Sequence, residues 1–468
     1  MIQKDFWDKL RIFAKGEKMN NNFLLNSNTA KDLYNSAKDL PIIDYHNHLS
    51  IADISENKRF TDIYDLWIKP DPYKHRAMRM SGVAEKFITG DASNEEKFIK
   101  WCKAYPKLIG NPLYVWSQME LEIVFGISEI PNESNADEIY KKANLYLKNN
   151  EITPEILLNK FNVEFACPCM SLTDDFSVIK TKTNIAPSLR GDDITAPGIE
   201  LIHKLEILTN KINNLSDYKR AIQNRLDEIE KVGCRFTDHA LDNGFKFYTD
   251  DGENDKRFDL LLKSKLTDTE DFEKLFSYLL VFLCGEYAKR NMTVQLHIGA
   301  ERYTSTRLRT LAGAAGGFAG IGNSVDIKSF TQMIDTLEQG EYGLPRIVLF
   351  TLNPADNAMI SVLSGSYSKD NVSGLITQGP AWWWCDHKYG IREVLENASS
   401  FGLLSNFVGM TTDSRSFLSF VRHDYFRRIL CDWLAKKLEN NELCCGIDDL
   451  RILIIDMCYN NVKRLMEK

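Results

Sequence analysis

The 468-residue sequence lacks two features that mark exported and membrane proteins. It contains no run of about 18 consecutive apolar residues, so no transmembrane helix is predicted. Its first residues interleave charged with apolar side chains and provide no apolar core for a signal peptide. We therefore expect a protein that has no membrane partner and stays in the cytoplasm.

Proline and positive charge are also in short supply. With only 13 Pro and 26 Gly against 44% hydrophobic residues, the composition excludes a collagen-like or disordered chain. The 58 Lys and Arg residues are outnumbered by 65 Asp and Glu residues, which gives a net charge of −7. Because such an acidic surface repels phosphate backbones, we expect no nucleic-acid partner. A small-molecule substrate and a homo-oligomer remain open.

Ten cysteines are spread along the chain without the dense spacing of a disulfide framework. Cys167 and Cys169 form one close pair, and Cys444 and Cys445 form another. Neither pair has a second pair or a histidine at zinc-finger spacing. The sequence alone therefore gives these cysteines no chemistry, and most are expected to be core residues.

Short apolar, β-rich runs recur eight times, each separated from the next by enough chain for a helix. Several are apolar on consecutive positions, which favours parallel strands covered on both faces. The predicted strands are 42–46, 163–169, 185–190, 234–239, 293–299, 346–352, 374–382 and 407–413. This rhythm predicts a (β/α)8 TIM-type barrel over residues 41–468, preceded by a helical segment, 1–40.

The interval between the first two predicted strands, residues 49–159, is much longer than the others. Its pattern is mostly helical, and Ser93 and Glu96 have the spacing of a capping box. Since the interval follows the carboxyl end of a strand, we expect a helical insertion that caps the barrel mouth, where barrel enzymes bind substrate.

Two histidines and one aspartate suggest a metal site. His46 and His48 end the first strand two residues apart, so their side chains point the same way. Asp413 ends the eighth strand, which neighbours the first in a closed barrel. These ligands would leave coordination positions open and favour Zn²⁺, with Mn²⁺ as the alternative. Ordinary polar residues, with Asp413 as a helix cap, are the other interpretation.

Further candidates follow other strands. His297 ends the fifth strand and is followed by Arg302, which favours substrate contact, although a lone strand histidine is more often a core residue. Arg190 and Arg415 follow the third and eighth strands, where guanidinium groups can bind a substrate carboxylate. Trp383 is one of three consecutive tryptophans, of which one can lie against a sugar and the others belong to the core.

The insertion and a later loop add two patterns. Arg76 and Arg79 are further candidates for carboxylate binding, with surface ion pairing as the alternative for one or two of the arginines. The segment 311–322 is rich in glycine but lacks the Gly-Lys-Ser/Thr of a P-loop and does not fit G-x-G-x-x-G. We therefore predict a mobile active-site loop there and not a nucleotide site.

Several segments resemble one family. They are DYHNHLS (44–50), ITGDAS (88–93), LIGNPLYVW (108–116), QLHIGA (295–300), AWWW (381–384) and the long GMTTDSRSFLSFVRHDYFRRILC (409–431). From about residue 23 to its end the chain resembles the uronate isomerases, also called glucuronate isomerases, a divergent branch of the amidohydrolase superfamily. The segment from Cys167 to Leu172 is more elaborate than is usual in that family.

The resemblance implies an aldose–ketose isomerase that interconverts D-glucuronate and D-fructuronate, and D-galacturonate and D-tagaturonate. It implies a metal site of His46, His48 and Asp413, and a role for Tyr73 in proton transfer. Arg190, Arg415 and His297 would then contact the substrate.

We assign the C2 proton to Asp413 with Tyr73, and the balancing of substrate charge to Arg415 and Arg190. Two other functions remain open at this stage. One is a metal-dependent hydrolase acting on a lactone or amide, which would use the same ligands. The other is a non-catalytic protein that binds sugar acids.

Overall fold

The computed structural model describes residues 21–179 and 184–467, so the first half of the predicted helical segment 1–40 lies outside the described residues. Seven parallel strands form the main sheet, in the order β1-β2-β3-β4-β5-β8-β9. A short antiparallel pair, β6 and β7, stands apart. The strands are β1 (Ile42–Asn47), β2 (Val163–Met170), β3 (Ser188–Arg190), β4 (Phe236–Leu241), β5 (Thr293–Ile298), β6 (Ala300–Glu301), β7 (Gly320–Ile321), β8 (Arg346–Thr351) and β9 (Ile376–Gln378).

Helices fill the connections between the strands. Before the β4–β5 connection they are α1 (Asn28–Asn35), α2 (Ile51–Ser55), α3 (Ile63–Trp67), α4 (Pro72–Met80), α5 (Asn94–Ala104), α6 (Pro112–Phe125), α7 (Ala136–Asn149), α8 (Pro154–Lys160), α9 (Asp192–Thr195), α10 (Ile199–Leu208) and α11 (Leu215–Lys231). The rest are α12 (Asn254–Leu262), α13 (Thr269–Lys289), α14 (Thr306–Ala312), α15 (Ile327–Glu338), α16 (Asn357–Leu363), α17 (Lys388–Phe401), α18 (Val421–Glu439), α19 (Ile447–Ile455) and α20 (Asn461–Met466). None of these described helices combines the length and apolar character needed to cross a membrane.

The main sheet is strongly curled. The ring of Tyr45 on β1 lies 5.4 Å from the ring of Phe236 on β4 and 6.5 Å from that of Phe350 on β8. In a flat sheet these strands would be about 14 Å and about 24 Å from β1, given a spacing of about 4.8 Å per strand. The curvature therefore brings side chains from distant strands into one packed interior.

Seven of the eight predicted strands are present, with shifted ends. The third contracts to β3, because Ile185 makes only an isolated bridge to Ala166. The seventh contracts to β9, and residues 383–385 instead form a turn of 3₁₀ helix.

The eighth predicted strand, residues 407–413, is not part of the described sheet. Gly409 and Asp413 have positive φ angles of 69° and 44°, which bend the segment away from strand geometry. Two backbone hydrogen bonds still join it to β1, from Asp413 N to His46 O at 3.1 Å and from His48 N to Ser414 O at 2.9 Å. The segment thus lies beside β1 without forming a regular ladder.

A buried carboxylate on β1 supplies the missing connection. Asp44 is fully buried, and its Oδ1 accepts a hydrogen bond from Thr412 N at 2.7 Å and lies 3.0 Å from Thr411 Oγ1. Its Oδ2 accepts from Thr412 Oγ1 at 2.7 Å, and His423 Nε2 on α18 lies 3.3 Å from Oδ1. Hydrogen bonds to the Asp44 carboxylate therefore join β1 to residues 411–412 in place of a regular strand ladder.

Helices also occupy the long interval between β1 and β2, as its sequence pattern predicts. Seven helices, α2 to α8, lie in this interval. Ser93 and Glu96 form the predicted capping box at the start of α5, with Ser93 Oγ accepting from Glu96 N and the Glu96 carboxylate accepting from Ser93 N. The interval is thus helical throughout most of its length.

Replacing Asp44 tests the connection between β1 and the 411–412 segment. Asp44→Ala should lower the free energy of unfolding by about 3–5 kcal/mol, because it leaves several buried donors without an acceptor. Urea denaturation would measure the change. The control is Asp39→Ala, at an exposed position in the turn that precedes β1, and its free energy of unfolding should stay within about 0.5 kcal/mol of the parent. Equal stability of the two variants would contradict the role of Asp44.

Candidate active site

His46 at the end of β1, His48 just after the strand, and Asp413 meet at the carboxyl end of the sheet. Asp413 Oδ1 lies 3.3 Å from His46 Nε2 and 3.0 Å from His48 Nε2. Strand alternation points both imidazoles to the same side, and the hydrogen bonds between β1 and residues 413–414 bring Asp413 opposite them. The structure thus brings together the three predicted metal-site residues.

Burial and hydrogen bonding determine the ionisation of this group. Burial lowers the pKa of His48 to about 4 and that of His297 well below its usual range. Although burial alone would raise it, the pKa of Asp413 lies well below its usual range because His46 and His48 hydrogen-bond to the carboxylate. Trp382 Nε1 donates to the other oxygen, Asp413 Oδ2, at 2.7 Å. The carboxylate is therefore ionised near neutral pH.

The donor set fits a divalent cation. Imidazole nitrogens and a carboxylate oxygen are ligands that Zn²⁺ and Mn²⁺ accept. Ligand atoms of His46, His48 and Cys169 lie within 4.8 Å of one another, and so do those of His46, Asp238 and His297. In addition, the buried Nε2 of His297 has no hydrogen-bond partner among the described residues. A buried nitrogen of this kind is suited to an ion or to a substrate oxygen.

His297 lies among aromatic rings at the same end of the sheet. Its side chain is 3% exposed, and its ring is 4.6 Å from that of His46. It also stacks on Phe350 at 4.6 Å and contacts Trp382 at 4.8 Å. The sequence left both substrate contact and a core position open for this residue, and its packing combines a core position with closeness to the histidine pair.

A cavity of about 600 Å³ opens beside this group, within the size range of small-molecule sites. Seven of the predicted or implied site residues line it, and His46 and His297 lie behind its wall. The seven are His48, Tyr73, Arg190, Arg302, Trp383, Asp413 and Arg415.

The three arginines of the cavity differ in how they are bonded. Arg190 Nη2 donates to Asp192 Oδ2 at 3.0 Å, and Arg302 Nε lies 2.8 Å from both carboxylate oxygens of Asp242. Arg415 makes no hydrogen bond to any residue in the described part of the chain. Its guanidinium group is therefore available to a ligand.

Arg76 and Arg79 on α4 bind the glycine-rich loop. Arg76 Nη1 donates to the carbonyls of Gly317 at 3.4 Å and Ala319 at 3.3 Å, and its guanidinium lies 4.3 Å from the Trp384 ring. Arg79 donates to the Gly316 carbonyl and pairs with Glu85 at 2.7 Å. Neither arginine lines the 600 Å³ cavity, so the prediction of carboxylate binding fits them less well than ion pairing and loop contact.

The loop itself packs against the start of α4. Gly317 has a φ of 76°, and a Cβ there would lie 2.2 Å from the backbone oxygen of Pro72, so the position requires glycine. Ala314, Ala315, Gly317 and Ala319 line the cavity. The loop thus lines the candidate site, while its role in activity and its mobility stay predictions.

Tyr73 reaches the cavity from the first turn of α4. Asp71 caps this helix and accepts from Tyr73 N at 2.9 Å. The Tyr73 ring lies 5.3 Å from that of Trp384, and the Arg422 guanidinium lies 4.8 Å from it. Burial raises the pKa of Tyr73 well above its usual value, so its hydroxyl keeps its proton near neutral pH.

Sequence reasoning missed two polar residues of the site. Cys169 Sγ lies 3.6 Å from His46 Nδ1 and 3.5 Å from Asp238 Oδ1. Cys169 is the last residue but one of β2, so its place near the carboxyl end of a strand was a usable signal. Asp238 is in the middle of β4, and its position in the sequence gave no such signal.

A second buried acid lies near the cavity. Asp386 is 4% exposed, its Oδ2 is 3.8 Å from Arg422 Nη1, and its Oδ1 has no hydrogen-bond partner among the described residues. Burial raises the pKa of Asp386 to about 7, with a further contribution from the charge of Asp413 that Arg422 opposes. The folded protein therefore holds this proton to much higher pH than the unfolded chain.

Asp386 should make stability depend on pH. Between its ordinary pKa of about 4 and its folded pKa, the unfolded state releases the proton and the folded state keeps it, which costs about 1.4 kcal/mol per pH unit. This cost is absent below about pH 4 and complete above about pH 7. Between pH 5 and pH 7 the free energy of unfolding, measured by urea denaturation, should therefore fall in the parent by about 2–3 kcal/mol more than in Asp386→Asn. Parallel profiles would show that Asp386 is ionised throughout.

Comparisons with known proteins find close relatives over nearly the whole chain. A family model described as glucuronate isomerase matches residues 16–466. The uronate isomerase of Caldanaerobacter subterraneus subsp. tengcongensis is 38% identical over 465 residues, which cover 96% of this chain and 99% of the relative. That of Bacillus licheniformis is 38% identical over 461 residues, which cover 96% and 97%.

A solved structure shows the same fold. The crystal structure of uronate isomerase from Thermotoga maritima matches with a TM-score of 0.89 and 27% identity, covering 96% of this chain and all of the other. Together with the family model and the relatives at 38% identity, this places the sequence in one family over nearly its whole length. The chain belongs to the glucuronate isomerase, or uronate isomerase, family of aldose–ketose isomerases.

Proposed function

We propose that the protein interconverts D-glucuronate and D-fructuronate, and D-galacturonate and D-tagaturonate. The observation that carries the proposal is one cavity of about 600 Å³ that combines His48 and Asp413 with three arginines. The imidazole and carboxylate donors suit a divalent cation, and the guanidinium groups suit the carboxylate of a sugar acid. Membership of the family supports the same reaction.

Arg415 is the main candidate for binding the substrate carboxylate. It lines the cavity and makes no hydrogen bond to any described residue, so both edges of its guanidinium group are available. Arg190 and Arg302 are held by Asp192 and Asp242 and contribute charge around the same position. A bidentate contact of this kind distinguishes a hexuronate from a neutral hexose.

His46, His48 and Asp413 would hold the divalent cation, with Zn²⁺ as the first candidate and Mn²⁺ as the alternative. Their Nε2, Nε2 and Oδ1 atoms already converge, with distances of 3.3 and 3.0 Å from Asp413 Oδ1 to the two nitrogens. When bound, such an ion supplies polarisation of substrate oxygens. The site also needs to leave positions open, and three protein ligands do so.

The reaction moves a proton from C2 to C1 and needs a base, a proton donor and a way to stabilise negative charge. Asp413 is ionised and lines the cavity, so we assign it the C2 proton. Tyr73 keeps its hydroxyl proton and lines the same cavity, so it can assist the transfer by donation.

His297 and Trp383 complete the contacts. His297 does not line the cavity, but the unpartnered Nε2 of its neutral imidazole, beside His46, can hydrogen-bond a substrate oxygen that reaches the histidine pair. Trp383 lines the cavity, and its ring lies 5.2 Å from the Arg302 guanidinium. This position lets the indole lie against the C–H groups of a sugar while the guanidinium reaches its oxygens.

The proposal extends to the closure of the barrel and the position of the helical insertion. We infer that residues 407–414 take the place of an eighth strand between β9 and β1, which completes a (β/α)8 barrel. The two hydrogen bonds to β1 and the contacts of Asp44 support this closure. We also infer that the helical insertion caps the barrel mouth, because Tyr73 and Pro72 of α4 line the cavity. A homo-oligomer and the cytoplasmic location stay predictions.

A metal-dependent hydrolase acting on a lactone or amide would use the same donors, but the full-length relatives named uronate isomerase do not favour it. The two activities are separable by product. Incubation of the purified protein with each hexuronate, followed by NMR, should show ketose formation with no change in mass. Ring opening or cleavage of a lactone or amide without ketose formation would favour the hydrolase.

The carboxylate contact predicts substrate selectivity. D-glucuronate should be converted and D-glucose should not, because only the former can engage Arg415 and its neighbours. Arg415→Met keeps the bulk of the aliphatic stem but removes the guanidinium group and its charge. It should lower kcat/KM for D-glucuronate by at least about 100-fold, the cost of about 2.7 kcal/mol expected for a lost charge-assisted contact. Equal turnover of the two sugars, measured by NMR, would remove the carboxylate assignment.

The assignment of the C2 proton predicts the effect of an amide. Asp413→Asn keeps the shape of the side chain, but an amide cannot accept the proton near neutral pH. We expect kcat to fall by at least about 100-fold, the lower bound for a general acid–base group, with a parallel loss of C2 hydrogen exchange into deuterated solvent.

Metal content, measured by elemental analysis, separates the two roles of Asp413. The exposed Asp39→Asn serves as the control variant and should retain full activity. Near-normal kcat in a metal-replete Asp413→Asn variant would move the base role to Tyr73 or His297.

A further inference from the structure

The two nitrogens of the His46 ring face different groups of donors. Nε2 lies 3.3 Å from Asp413 Oδ1 and belongs to the site described above. Nδ1 points the other way, 3.6 Å from Cys169 Sγ and 4.0 Å from Asp238 Oδ1. The proposed reaction uses only the Nε2 side, so the donors around Nδ1 have no assigned role.

The three atoms on the Nδ1 side stand near the separations that a tetrahedral ion imposes. The third distance, from Cys169 Sγ to Asp238 Oδ1, is 3.5 Å. Zinc–ligand bonds of about 2.3 Å to sulfur and about 2.0–2.2 Å to nitrogen or oxygen put neighbouring ligand atoms about 3.3–3.7 Å apart. Two of the three observed distances fall in this range, and the His46–Asp238 distance needs to shorten by a few tenths of an ångström.

A fourth donor lies next to this triangle. His297 is 3% exposed, and its Nε2 has no partner among the described residues. One of its nitrogens lies within 4.8 Å of ligand atoms of both His46 and Asp238. A buried imidazole nitrogen without a partner is costly, and an ion would remove that cost. This observation is independent of the cysteine, and it gives His297 Nε2 an alternative to the substrate contact proposed above.

No arginine forms an ion pair with the carboxylate of Asp238 among the described residues. Arg190 is the neighbouring cation, and its guanidinium pairs with Asp192 at 3.0 Å. Among the described residues, the Oδ1 atom of Asp238 is within hydrogen-bonding distance only of the Cys169 thiol. This oxygen therefore has no hydrogen bond to an arginine, although the charge of Arg190 acts on the carboxylate.

We propose that Cys169, Asp238 and Nδ1 of His46, with His297 as the fourth donor, form a second cation position, separate from the Nε2 side of His46. Binding of a divalent ion there breaks the S–H bond of Cys169, releases that proton to solvent and forms a metal–thiolate bond. When the Nε2 side is occupied as well, Nδ1 of His46 also releases its proton to solvent. A thiolate with imidazole ligands selects Zn²⁺ or Co²⁺ over Mn²⁺. The proposal does not depend on the isomerase reaction.

Titration of the metal-free, full-length protein with Co²⁺ tests the site without any activity assay. A Co²⁺–thiolate bond gives a charge-transfer absorption band in the near ultraviolet, whereas imidazole and carboxylate ligands alone do not. The exposed Cys444 and Cys445 are first replaced by serine so that they cannot contribute. We expect a saturable band in this background and its loss in Cys169→Ser.

Cys167→Ser is the matched control. Cys167 lies two residues earlier on β2 and packs in the apolar cluster with Tyr45 and Phe236, one layer below Cys169. The band should persist in this variant. Asp238→Asn keeps the thiol and should weaken Co²⁺ binding at the thiolate position by at least about tenfold. Circular dichroism checks that each variant is folded.

Two results would overturn the proposal. One is the absence of a thiolate band in the parent up to excess Co²⁺, in which case Cys169 is only a hydrogen-bond partner of His46. The other is a band that survives Cys169→Ser. If Cys169→Ser fails to fold, the titration of Asp238→Asn decides, since an unchanged affinity there is equally contradictory.

Discussion

The buried carboxylate of Asp44 is the contact on which the site depends. Regular strand pairing ends at β1 on this side of the sheet, because positive φ angles at Gly409 and Asp413 prevent a ladder. Asp44 replaces that ladder with hydrogen bonds to Thr411 and Thr412. The histidines of β1 and the carboxylate of Asp413 lie far apart in sequence, and this side chain fixes them against each other.

The sequence predicts the histidine pair well because the alternation of a strand is local. Asp413 also follows from the sequence, since the predicted barrel makes its first and last strands neighbours, and hydrogen bonds place residues 413 and 414 beside His46 and His48 even though they form no ladder. Cys169 and Asp238 could not be predicted as contacts of His46, because their approach depends on the curl of the sheet. That curl is a collective result of interior packing, as in the contacts of Tyr45 with Phe236 and Phe350.

Arginine shows another limit of sequence reasoning. All five candidate arginines have the same chemistry in the sequence, yet in the structure their guanidinium groups differ in the partners that they already bind. Arg76 and Arg79 are occupied by the glycine-rich loop and Glu85, and Arg190 and Arg302 by aspartates. Only the packed structure shows that Arg415 keeps its donors free among the described residues, and so which arginine a substrate can recruit.

The charge of the cavity gives a reason for the proposed cation and Arg415 to act together. The whole chain carries −7, and the cavity itself is lined by three arginines against four aspartates, namely Asp192, Asp193, Asp242 and Asp413. Two of these arginines are already neutralised by ion pairs. With every aspartate ionised, the cavity walls repel an anionic sugar, whereas one bound divalent ion reverses the local sign. In the proposed mechanism, selectivity for a hexuronate in so acidic a protein therefore rests on the donors that would hold the ion as much as on the guanidinium that would contact the carboxylate.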